Sequence, residues 1–545
     1  MLTTKALRYW ETLRWLRPEQ FYGRVWFRLY RPKPDTTQQP PIRSRSGSWQ
    51  PPAKRRQSLI KASGFRFLNQ EAELSEIGWT ASGMSRLWQY NLHYFDDLNA
   101  EDSTVRHPWQ ADIIADWIAR NSPGESPGWE PYPTSLRIVN WIKWALSGAE
   151  IPPRFEASLA VQARWLSRRL EMHLLGNHLF ANAKALVFAG LWFAGDEADL
   201  WRRTGFKILS RETSEQFLKD GGHFERSTMY HALALEDVLD LINISRTFKH
   251  TLEPGQQALL SKWEAIAPQM VQFLEAVSHP DGEIAFFNDA AFDVAPSGDE
   301  LRSYASRLGV TAYPVSDTWL GDSGYARLKN GDAVVLCDVA PIGPDYLPGH
   351  AHADTLSFEF SLFGTRLFVN SGTSVYEPGA ERLRQRGTSA HNTVTIDGRN
   401  SSDVWSSFRV GSRARVIGGA VSVNGGILMA EGAHNGYRSL PGRPVHYRRW
   451  ELAPQSLRVS DRVSSDRHDA EARFYLHPDV AVKSHGDSEG ELKLANGRKA
   501  IWRTEGGAVR TEPTTWHPEF GLSEPNTCLV LPLENGRCEL ELSWN

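Results

Sequence analysis

Two histidines stand two residues apart in the segment PGHAHADTLSFEF. His350 and His352 could be metal ligands, proton-transfer groups, or polar residues at the start of a strand. His-X-His places both imidazoles on one side of an extended segment, which suits zinc, and His391 is a candidate third ligand. Asn370 could offer an amide oxygen, but zinc prefers a carboxylate, so this residue weakens the metal interpretation. Asp354 could be a ligand or could orient a histidine.

A second polar cluster interrupts the apolar helical segment LLGNHLFANAKAL. His178 and Asn182 are four residues apart and so share a helix face, with Asn177 beside them. Polar groups surrounded by apolar residues need partners or a cavity. The pattern leaves two interpretations open, a helix-capping or core hydrogen-bond network and a functional site.

The third cluster opens the segment DGGHFERSTMYHALALEDVLDL. Ser227 or Thr228 can cap the helix that follows, and Glu225, Arg226 and Tyr230 lie around its first turn. A tyrosine near a helix N-terminus and an arginine could have a lowered pKa, which is useful in proton transfer. The alternative is a packed tyrosine whose hydroxyl is satisfied by a neighbour.

Other catalytic chemistries have less support in the sequence. The carboxylates of Glu225, Glu236 and Asp289 could serve a glycosidase, but nothing in their spacing shows that two of them flank one bond. No phosphate-cradling loop is visible, and no Gly-X-Ser-X-Gly turn stands between a strand and a helix.

These clusters lie in two kinds of predicted element. From about residue 85 to residue 310 apolar residues recur with a helical period and short connections. Near residue 320 the period changes to two, and TLSFEFSLFG alternates apolar and polar residues, which predicts a half-buried antiparallel strand. Many short strand segments with Gly, Asn and Asp turns follow. The sequence therefore predicts a helical array or toroid first and a β-sandwich second.

The composition is that of a soluble globular chain with more than one hydrophobic core. The chain has 545 residues, of which 41% are hydrophobic and 23% charged. Its net charge of −3 provides no overall field for nucleic acid. Cys337, Cys528 and Cys538 make no disulfide framework, and we expect buried free thiols, although the last two flank a predicted hairpin turn.

Residues 1–56 are predicted to be a helical and basic segment followed by a Pro-rich linker or strap over residues 32–56. No signal peptide and no membrane span is visible in this region, which predicts a cytoplasmic location. The mixture of Arg, Trp and Leu predicts an amphipathic helix. Such a helix either packs against the protein or makes a peripheral membrane contact.

Taken together, the clusters resemble the heparinase II/III-like polysaccharide lyases, in particular members from bacterial exopolysaccharide gene clusters. LWQYNLHYFDDL and YPTSLRIVNWIKW look like the family's early toroid helices. The three polar clusters look like its three active-site segments, in the same order across the change from helices to strands. The resemblance covers most of the chain. It implies a multidomain α+β fold, with an incomplete (α/α) toroid over residues 57–315 and an antiparallel β-sandwich over residues 316–545.

The resemblance also implies β-elimination at a uronic acid. In this reaction the site neutralises the sugar carboxylate, a base removes the C5 proton and an acid protonates the departing O4. By position, Asn177 and His178 would face the carboxylate. Tyr230 would be the acid, and in some members also the base, while His350 would be the partner base or would stabilise the intermediate.

A structural zinc is implied in the same way, with His352, residue 370 and His391 as ligands, and no organic cofactor is expected. Family members commonly have aspartate where this chain has Asn370. This difference predicts a weaker site, an empty site, or a hydrogen-bond network in place of the metal.

The expected partner is an anionic polysaccharide or oligosaccharide rather than nucleic acid. Candidate contacts, for which core packing or solvation is the alternative, are Trp129, Tyr132, Arg137, Arg226, Arg384, Arg386 and Trp405. Two other functions stay open, a glycosidase on the same scaffold and a non-catalytic glycan-binding or assembly factor. The missing export signal favours the assembly factor, whereas the retained catalytic set favours a lyase. Most such lyases meet polymers outside the cytoplasm, so a periplasmic location stays an alternative.

Overall fold

A computed structural model of the chain describes residues 2–125, 127–315 and 318–545. The predicted boundary between the two large domains adjoins residues 316 and 317, which lie outside the described residues, as does Met1. Helices dominate the chain up to residue 307, and strands dominate it from residue 318 onward. The change of hydrophobic period in the sequence therefore corresponds to the change of secondary structure.

Thirteen α-helices lie in the described part of the chain. They are α1 (Leu2–Leu13), α2 (Pro18–Leu29), α3 (Leu74–Ile77), α4 (Arg86–Tyr94), α5 (His107–Arg120), α6 (Pro131–Leu146), α7 (Phe155–Ser167), α8 (Gly176–Trp192), α9 (Asp196–Gln216), α10 (Thr228–Thr247), α11 (Pro254–Ala276), α12 (Gly298–Arg307) and α13 (Ala380–Gln385). Among the described residues, none of these helices is both long and apolar enough to cross a bilayer.

The helices from α4 to α12 form the incomplete (α/α) toroid that the sequence predicts. Helix α8 lies at its centre, against α6, α7, α9 and α10. It is mostly apolar, and all its residues from Leu179 to Trp192 are buried. Glycines allow α8 and α9 to approach closely, because a Cβ on Gly190 would lie 2.5 Å from the nitrogen of Arg202. This central helix is the rigid support for the polar cluster at its N-terminus.

The Pro-rich segment over residues 32–56 contains no helix and runs along the toroid as an extended strap. The nitrogen of Arg43 donates to the carbonyl of Trp192 at 2.8 Å, and that of Gly47 donates to Thr247 at 2.9 Å. These bonds to the ends of α8 and α10 tie the strap to the helices that carry the polar clusters.

Most of the strands form a β-sandwich. The strands are β1 (Gly64–Phe67), β2 (Gln70–Glu73), β3 (Thr318–Leu320), β4 (Tyr325–Asn330), β5 (Ala333–Asp338), β6 (Phe358–Leu362), β7 (Thr365–Phe368), β8 (Val394–Ile396), β9 (Val404–Trp405), β10 (Arg409–Val410), β11 (Val416–Asn424), β12 (Ile427–His434), β13 (His446–Ala453), β14 (Ser456–Val463), β15 (Ala470–Tyr475), β16 (Ala481–Ser484), β17 (Glu489–Lys493), β18 (Lys499–Glu505), β19 (Arg510–Trp516), β20 (Glu524–Pro532) and β21 (Arg537–Ser543). An eight-stranded sheet, β11-β12-β13-β14-β21-β18-β17-β16, shares one core with the sheets β3-β4-β5-β6-β7 and β19-β20-β15-β8, whereas β1-β2 and β9-β10 are separate two-stranded sheets.

Strand β6 is antiparallel to both its neighbours, as predicted, but the prediction that it is half-buried is wrong. Phe358 and Phe360 lie in the sandwich core, and the polar residues between them are also buried. The carboxylate of Glu359 lies 2.7 Å from His279, which follows α11, and accepts a 2.7 Å bond from the nitrogen of Asn370. The polar face of the strand is therefore the interface with the helical part of the chain.

The three cysteines are free and buried, as expected. Cys528 lies on β20 opposite Tyr475, whereas Cys538 lies on β21 opposite Asp461. The two strands belong to different sheets, so the hairpin turn between them does not pair the thiols.

Candidate functional site

A cleft of about 870 Å³ lies between the toroid and the sheets and brings the three polar clusters together. Asn177, His178, Tyr230 and His350 all line it, and so does Tyr132, one of the predicted substrate contacts. The toroid contributes the first turns of α8 and α10, and the sheet domain contributes the loop before β6. All four predicted catalytic residues therefore share one cavity.

Asn177 and His178 lie in the first turn of α8, where the N–H groups of the helix N-terminus and the helix dipole favour an anion. The Nδ1 atom of His178 lies 3.2 Å from the carboxylate of Glu171, and the two form an ion pair when the imidazole is protonated. Burial alone would lower the pKa of His178, but Glu171 raises it above its usual value. The ring of Tyr132 packs 4.5 Å from the imidazole. A cationic histidine is thus favoured beside the cleft.

Asn182 supports this arrangement from the core. Its amide donates to the carboxylate of Glu171 at 3.1 Å and accepts from the nitrogen of Glu171 at 2.8 Å. The polar face of α8 therefore contains both a core network and a cleft residue, and the network fixes the carboxylate that pairs with His178.

Tyr230 lies in the first turn of α10, which Ser227 caps, as predicted, by accepting from the nitrogen of Tyr230 at 3.1 Å. Its ring stacks on that of His350 with centroids 3.8 Å apart, and its hydroxyl lies 3.2 Å from that of Tyr376. The sequence-based expectation of a lowered pKa is wrong, because burial and neighbouring groups raise the pKa of Tyr230 well above its usual value. The hydroxyl is therefore protonated at neutral pH, the state that an acid requires.

His350 is oriented by a buried carboxylate. Its Nδ1 lies 3.0 Å from Asp289, whose other oxygen lies 2.8 Å from Nε2 of His352. Arg382 donates to both oxygens of Asp289, one of them at 2.8 Å. Burial alone would raise the pKa of Asp289, but Arg382 and the two histidines hold it well below its usual range. An ionised Asp289 keeps the proton of His350 on Nδ1, so that Nε2 carries the lone pair.

A second carboxylate, that of Glu225, lies beside the free nitrogen of His350. It is buried, 3.7 Å from Nε2, and accepts a long 3.4 Å bond from the nitrogen of Asn177. Burial raises the pKa of Glu225. This reduces the repulsion that a bound carboxylate would meet in the cleft.

His352 and His391 lie behind the cleft wall and face each other. Nδ1 of His352 is 3.1 Å from Nε2 of His391, while their other ring nitrogens are bonded to Asp289 and to the carbonyl of Gly387. If both outer nitrogens are donors, the facing nitrogens present lone pairs to each other, which suits a shared cation. The carboxylate of Asp354 completes a group whose ligand atoms lie within 4.8 Å of one another.

The structure places Asn370 in a different role from the one that the resemblance implies. Its amide donates to the carbonyl of Phe286 at 3.0 Å and accepts from the nitrogen of Asn392 at 2.9 Å. The side chain thus ties two backbone segments together. Asp354 rather than Asn370 is the oxygen donor beside the two imidazoles.

Six of the predicted substrate contacts do not line the cleft. Two belong to the toroid core, where the guanidinium of Arg137 is fully buried 3.9 Å over the ring of Trp117, and the ring of Trp129 packs 5.6 Å from the same indole. The others are held by neighbours. Arg226 donates to the carbonyl of Ser323, and Arg386 donates to that of Ala351. Arg384 binds Glu381 and His517, and the indole of Trp405 donates to the hydroxyl of Thr12.

Three residues that build the site were not singled out from the sequence. Glu171 lies in the turn before α8, Tyr376 follows the strand β7, and Arg382 opens the short helix α13. The signal for Arg382 was its spacing of four from Arg386, which places both on the buried face of a helix. No local pattern indicates Tyr376, because its partner Tyr230 is distant in the sequence. Glu171 is near His178 in the sequence but lies before the helix, so helical spacing does not link the two residues.

Solved structures share this combination of toroid and sandwich. A structure described as heparinase III superposes with a TM-score of 0.64 and 18% identity, covering 83% of this chain and 76% of that one. A heparan sulfate lyase mutant from Pedobacter heparinus superposes with a TM-score of 0.60 and 17% identity, covering 97% of this chain and 87% of that one. At these identities the comparison establishes the fold.

Sequence comparison then assigns the family. The model of the heparinase II/III N-terminus matches residues 75–312, and that of the heparinase II/III-like C-terminal region matches residues 314–545. The chain therefore belongs to the heparinase II/III-like family. A heparin-sulfate lyase from Bacteroides stercoris is 30% identical over 305 residues, 50% of this chain and 44% of that protein. One from Pedobacter heparinus is 25% identical over 323 residues, 52% of this chain and 47% of that protein, so the matches span less than half of either relative.

Proposed function

We propose that this protein is a polysaccharide lyase that cleaves a uronic-acid-containing polysaccharide by β-elimination. The observation that carries the proposal is the stacked pair of Tyr230 and His350 in the cleft, facing the anion-favouring first turn of α8. The pair provides a protonated acid and an oriented base, and Asn177 and His178 provide the seat for a carboxylate. No nucleophile is needed for such a reaction.

The chemistry follows from the positions of the protons. With the uronate carboxylate against Asn177 and His178, the C5 proton becomes acidic enough for Nε2 of His350 to remove it. The electron pair forms the C4=C5 double bond, the C4–O4 bond breaks, and the hydroxyl of Tyr230 gives its proton to O4. Return of the proton from His350 to Tyr230 restores the enzyme without consuming water.

The same geometry disfavours a glycosidase with paired carboxylates. Of the three candidate carboxylates only Glu225 lines the cleft. Asp289 is occupied by Arg382 and two histidines, and Glu236 is paired with Arg55 and Lys143. Two carboxylates on opposite sides of one glycosidic bond are therefore not provided by this set.

An acidic substrate is supported by the relatives, which are heparin-sulfate lyases, and by the cleft wall. Arg24 on α2 and Arg409 on β10 both line the cleft. Burial lowers the pKa of Arg24, and the nearby charge of Arg409 lowers it further. Within the described residues neither guanidinium has a carboxylate partner. Two such cations favour an anionic ligand between them.

A screen of uronate polymers, including bacterial exopolysaccharides, tests this function. We expect at least one polymer to give products with an unsaturated uronate end, detected by its far-ultraviolet absorbance and by mass spectrometry. Cleavage with saturated ends and uptake of water would show a glycosidase instead. Binding of a polymer without cleavage would show the assembly-factor role.

The pH profile of the lyase is expected to depend on Glu171. Because this carboxylate raises the pKa of His178, Glu171→Gln lowers that pKa, and the cationic form is lost at a lower pH. The alkaline limb of log kcat/KM is therefore expected to move to lower pH. Glu377→Gln, an exposed carboxylate on the cleft wall, is the control and leaves the limb in place. An unmoved limb in Glu171→Gln would show that His178 is not the group that titrates.

We further propose that His352, His391 and Asp354 hold a structural divalent cation, with zinc the best match to two imidazoles and a carboxylate. When bound, the ion would fix the loop that carries His350 and would supply no reacting group. His352 reaches Asp289, which also orients His350, so the ion and the base share one support.

Metal analysis and thermal unfolding test this site. We expect the purified protein to retain one zinc after dialysis, and His391→Ala to lose the ion and to unfold at a lower temperature. The matched control is His434→Ala, since His434 and His446 form a similar buried pair beside Asp461. The control is expected to keep its zinc. Protein that takes up no zinc, with an unfolding temperature unaffected by a chelator, would contradict the site.

A further inference from the structure

The two N-terminal helices expose an unusual amount of apolar surface. Of the twenty large hydrophobic residues that are exposed in the described part of the chain, nine lie on α1 and α2. They are Leu7, Tyr9, Trp10, Leu13, Phe21, Tyr22, Val25, Trp26 and Leu29, exposed by 37% to 75%. So many exposed apolar residues on two consecutive helices mark an interaction surface rather than scattered surface residues. It also lies outside the residues that match the family models.

Helix α2 has two distinct faces. Its inner face packs on the toroid, where Gly23 lies against His173 and the ring of Phe27 is 4.4 Å from that imidazole. The outer face carries residues 21, 22, 25, 26 and 29, which follow the helical period and form one stripe. The apolar stripe is therefore not the face that holds the helix to the protein.

Helix α1 is fixed to the sheet domain. Arg8 donates to both oxygens of Asp403 at 2.8 Å, and the indole of Trp405 donates to the hydroxyl of Thr12 at 3.2 Å. The ring of Tyr9 contacts that of Trp405 at 5.2 Å. The exposed surface is thus presented on a docked helix pair and is not a feature of a loose end.

The surface is also strongly basic. Residues 2–33 contain eight Lys or Arg and two Glu, although the net charge of the whole chain is −3. Lys5, Arg28, Arg31 and Lys33 are exposed, and no carboxylate among the described residues pairs with them. Aromatic and aliphatic residues surrounded by such cations are typical of helices that lie in the interface of an anionic bilayer.

We propose that α1 and α2 bind the protein to an anionic lipid surface, with the outer stripe in the headgroup region and the cations on lipid phosphates. A second copy is the less favourable occupant, because a symmetric dimer would bring two surfaces of the same positive charge together. The inner side of the same pair contributes Thr12, Leu16, Gln20 and Arg24 to the cleft. The lipid-facing surface and one cleft wall are therefore two sides of one structural unit.

Vesicle co-sedimentation with the full chain tests the proposal. We expect binding to vesicles of equal parts phosphatidylcholine and phosphatidylglycerol, and at least about tenfold weaker binding to phosphatidylcholine alone or in high salt. The double variant Trp26→Ser with Leu29→Ser is expected to lose binding by a similar factor. Leu200→Ser with Trp109→Ser, which changes exposed residues of the toroid, is the matched control and is expected to bind as the unchanged protein does.

The possible results distinguish a lipid surface from a second copy of the protein as the ligand of α1 and α2. Both double variants change exposed side chains, and unchanged thermal unfolding confirms that each is folded. Equal binding by the two double variants would overturn the proposal, as would absence of binding to either vesicle. Self-association that the Trp26 and Leu29 variant abolishes, with no vesicle binding, would assign the surface to a second copy instead. None of these measurements depends on lyase activity.

Discussion

Replacing Tyr230 by phenylalanine is expected to lower the rate of unsaturated product formation by about two to four orders of magnitude. The variant keeps the ring that stacks on His350 at 3.8 Å and removes only the hydroxyl, whose raised pKa keeps it protonated and ready to donate to O4. Binding of the polymer should change little, because the carboxylate seat and the ring are intact. The loss is therefore expected in kcat rather than in KM, measured from the absorbance of the product.

Tyr90→Phe is the matched control for this variant. Tyr90 also lines the cleft, but its hydroxyl donates to the carboxylate of Glu130. Loss of the Tyr90 hydroxyl should leave kcat within a small factor of the kcat of the unchanged enzyme. A Tyr230→Phe enzyme with nearly full kcat would show that another group protonates O4. The closest candidate is then Tyr376, whose hydroxyl lies 3.2 Å from that of Tyr230.

The features that the sequence predicted well depend on local periodicity. Apolar spacing located the toroid helices and the strands, and Ser227 was recognised as a cap because capping involves neighbours within one turn. The resemblance of the three polar clusters, in their order, to the active-site segments of the family predicted that they meet in a single cleft. Each of these features depends on a short segment or on the order of the segments along the chain.

The errors arise where distant segments decide the environment. The alternation of apolar and polar residues in β6 indicates one solvent-exposed face. Instead, His279 and its neighbours cover the polar side, and Glu359 is buried. Arg384 and Arg386 are candidate substrate contacts in the sequence, with solvation as the alternative, but neither lines the cleft, and Arg386 is buried together with Arg382. Arg382 and Arg386 are four residues apart and both buried, so local spacing does not show which of them reaches Asp289. Long-range packing of this kind leaves little trace in the local pattern.

Asp289→Asn is expected to have the largest combined effect on activity and stability. An amide can accept from His350 or donate to it, so the tautomer with the lone pair on Nε2 is no longer enforced, and kcat should fall by at least about a hundredfold. The guanidinium of Arg382 is fully buried and would lose its only carboxylate partner among the described residues. Removal of one member of such a pair costs about 3–5 kcal/mol of unfolding free energy.

Two further variants separate the positioning role of Asp289 from its structural one. Asp289→Asn combined with Arg382→Met removes the unpaired cation, so it should recover much of the stability while kcat stays low. Asp461→Asn is the matched control, because Asp461 is equally buried and is bound by His446 and Arg448 within the sandwich. It should lose comparable stability, measured by denaturant unfolding, yet keep its kcat per folded molecule. If the double variant regained kcat along with stability, Asp289 would serve only to neutralise Arg382, and the orientation of His350 would have to come from elsewhere.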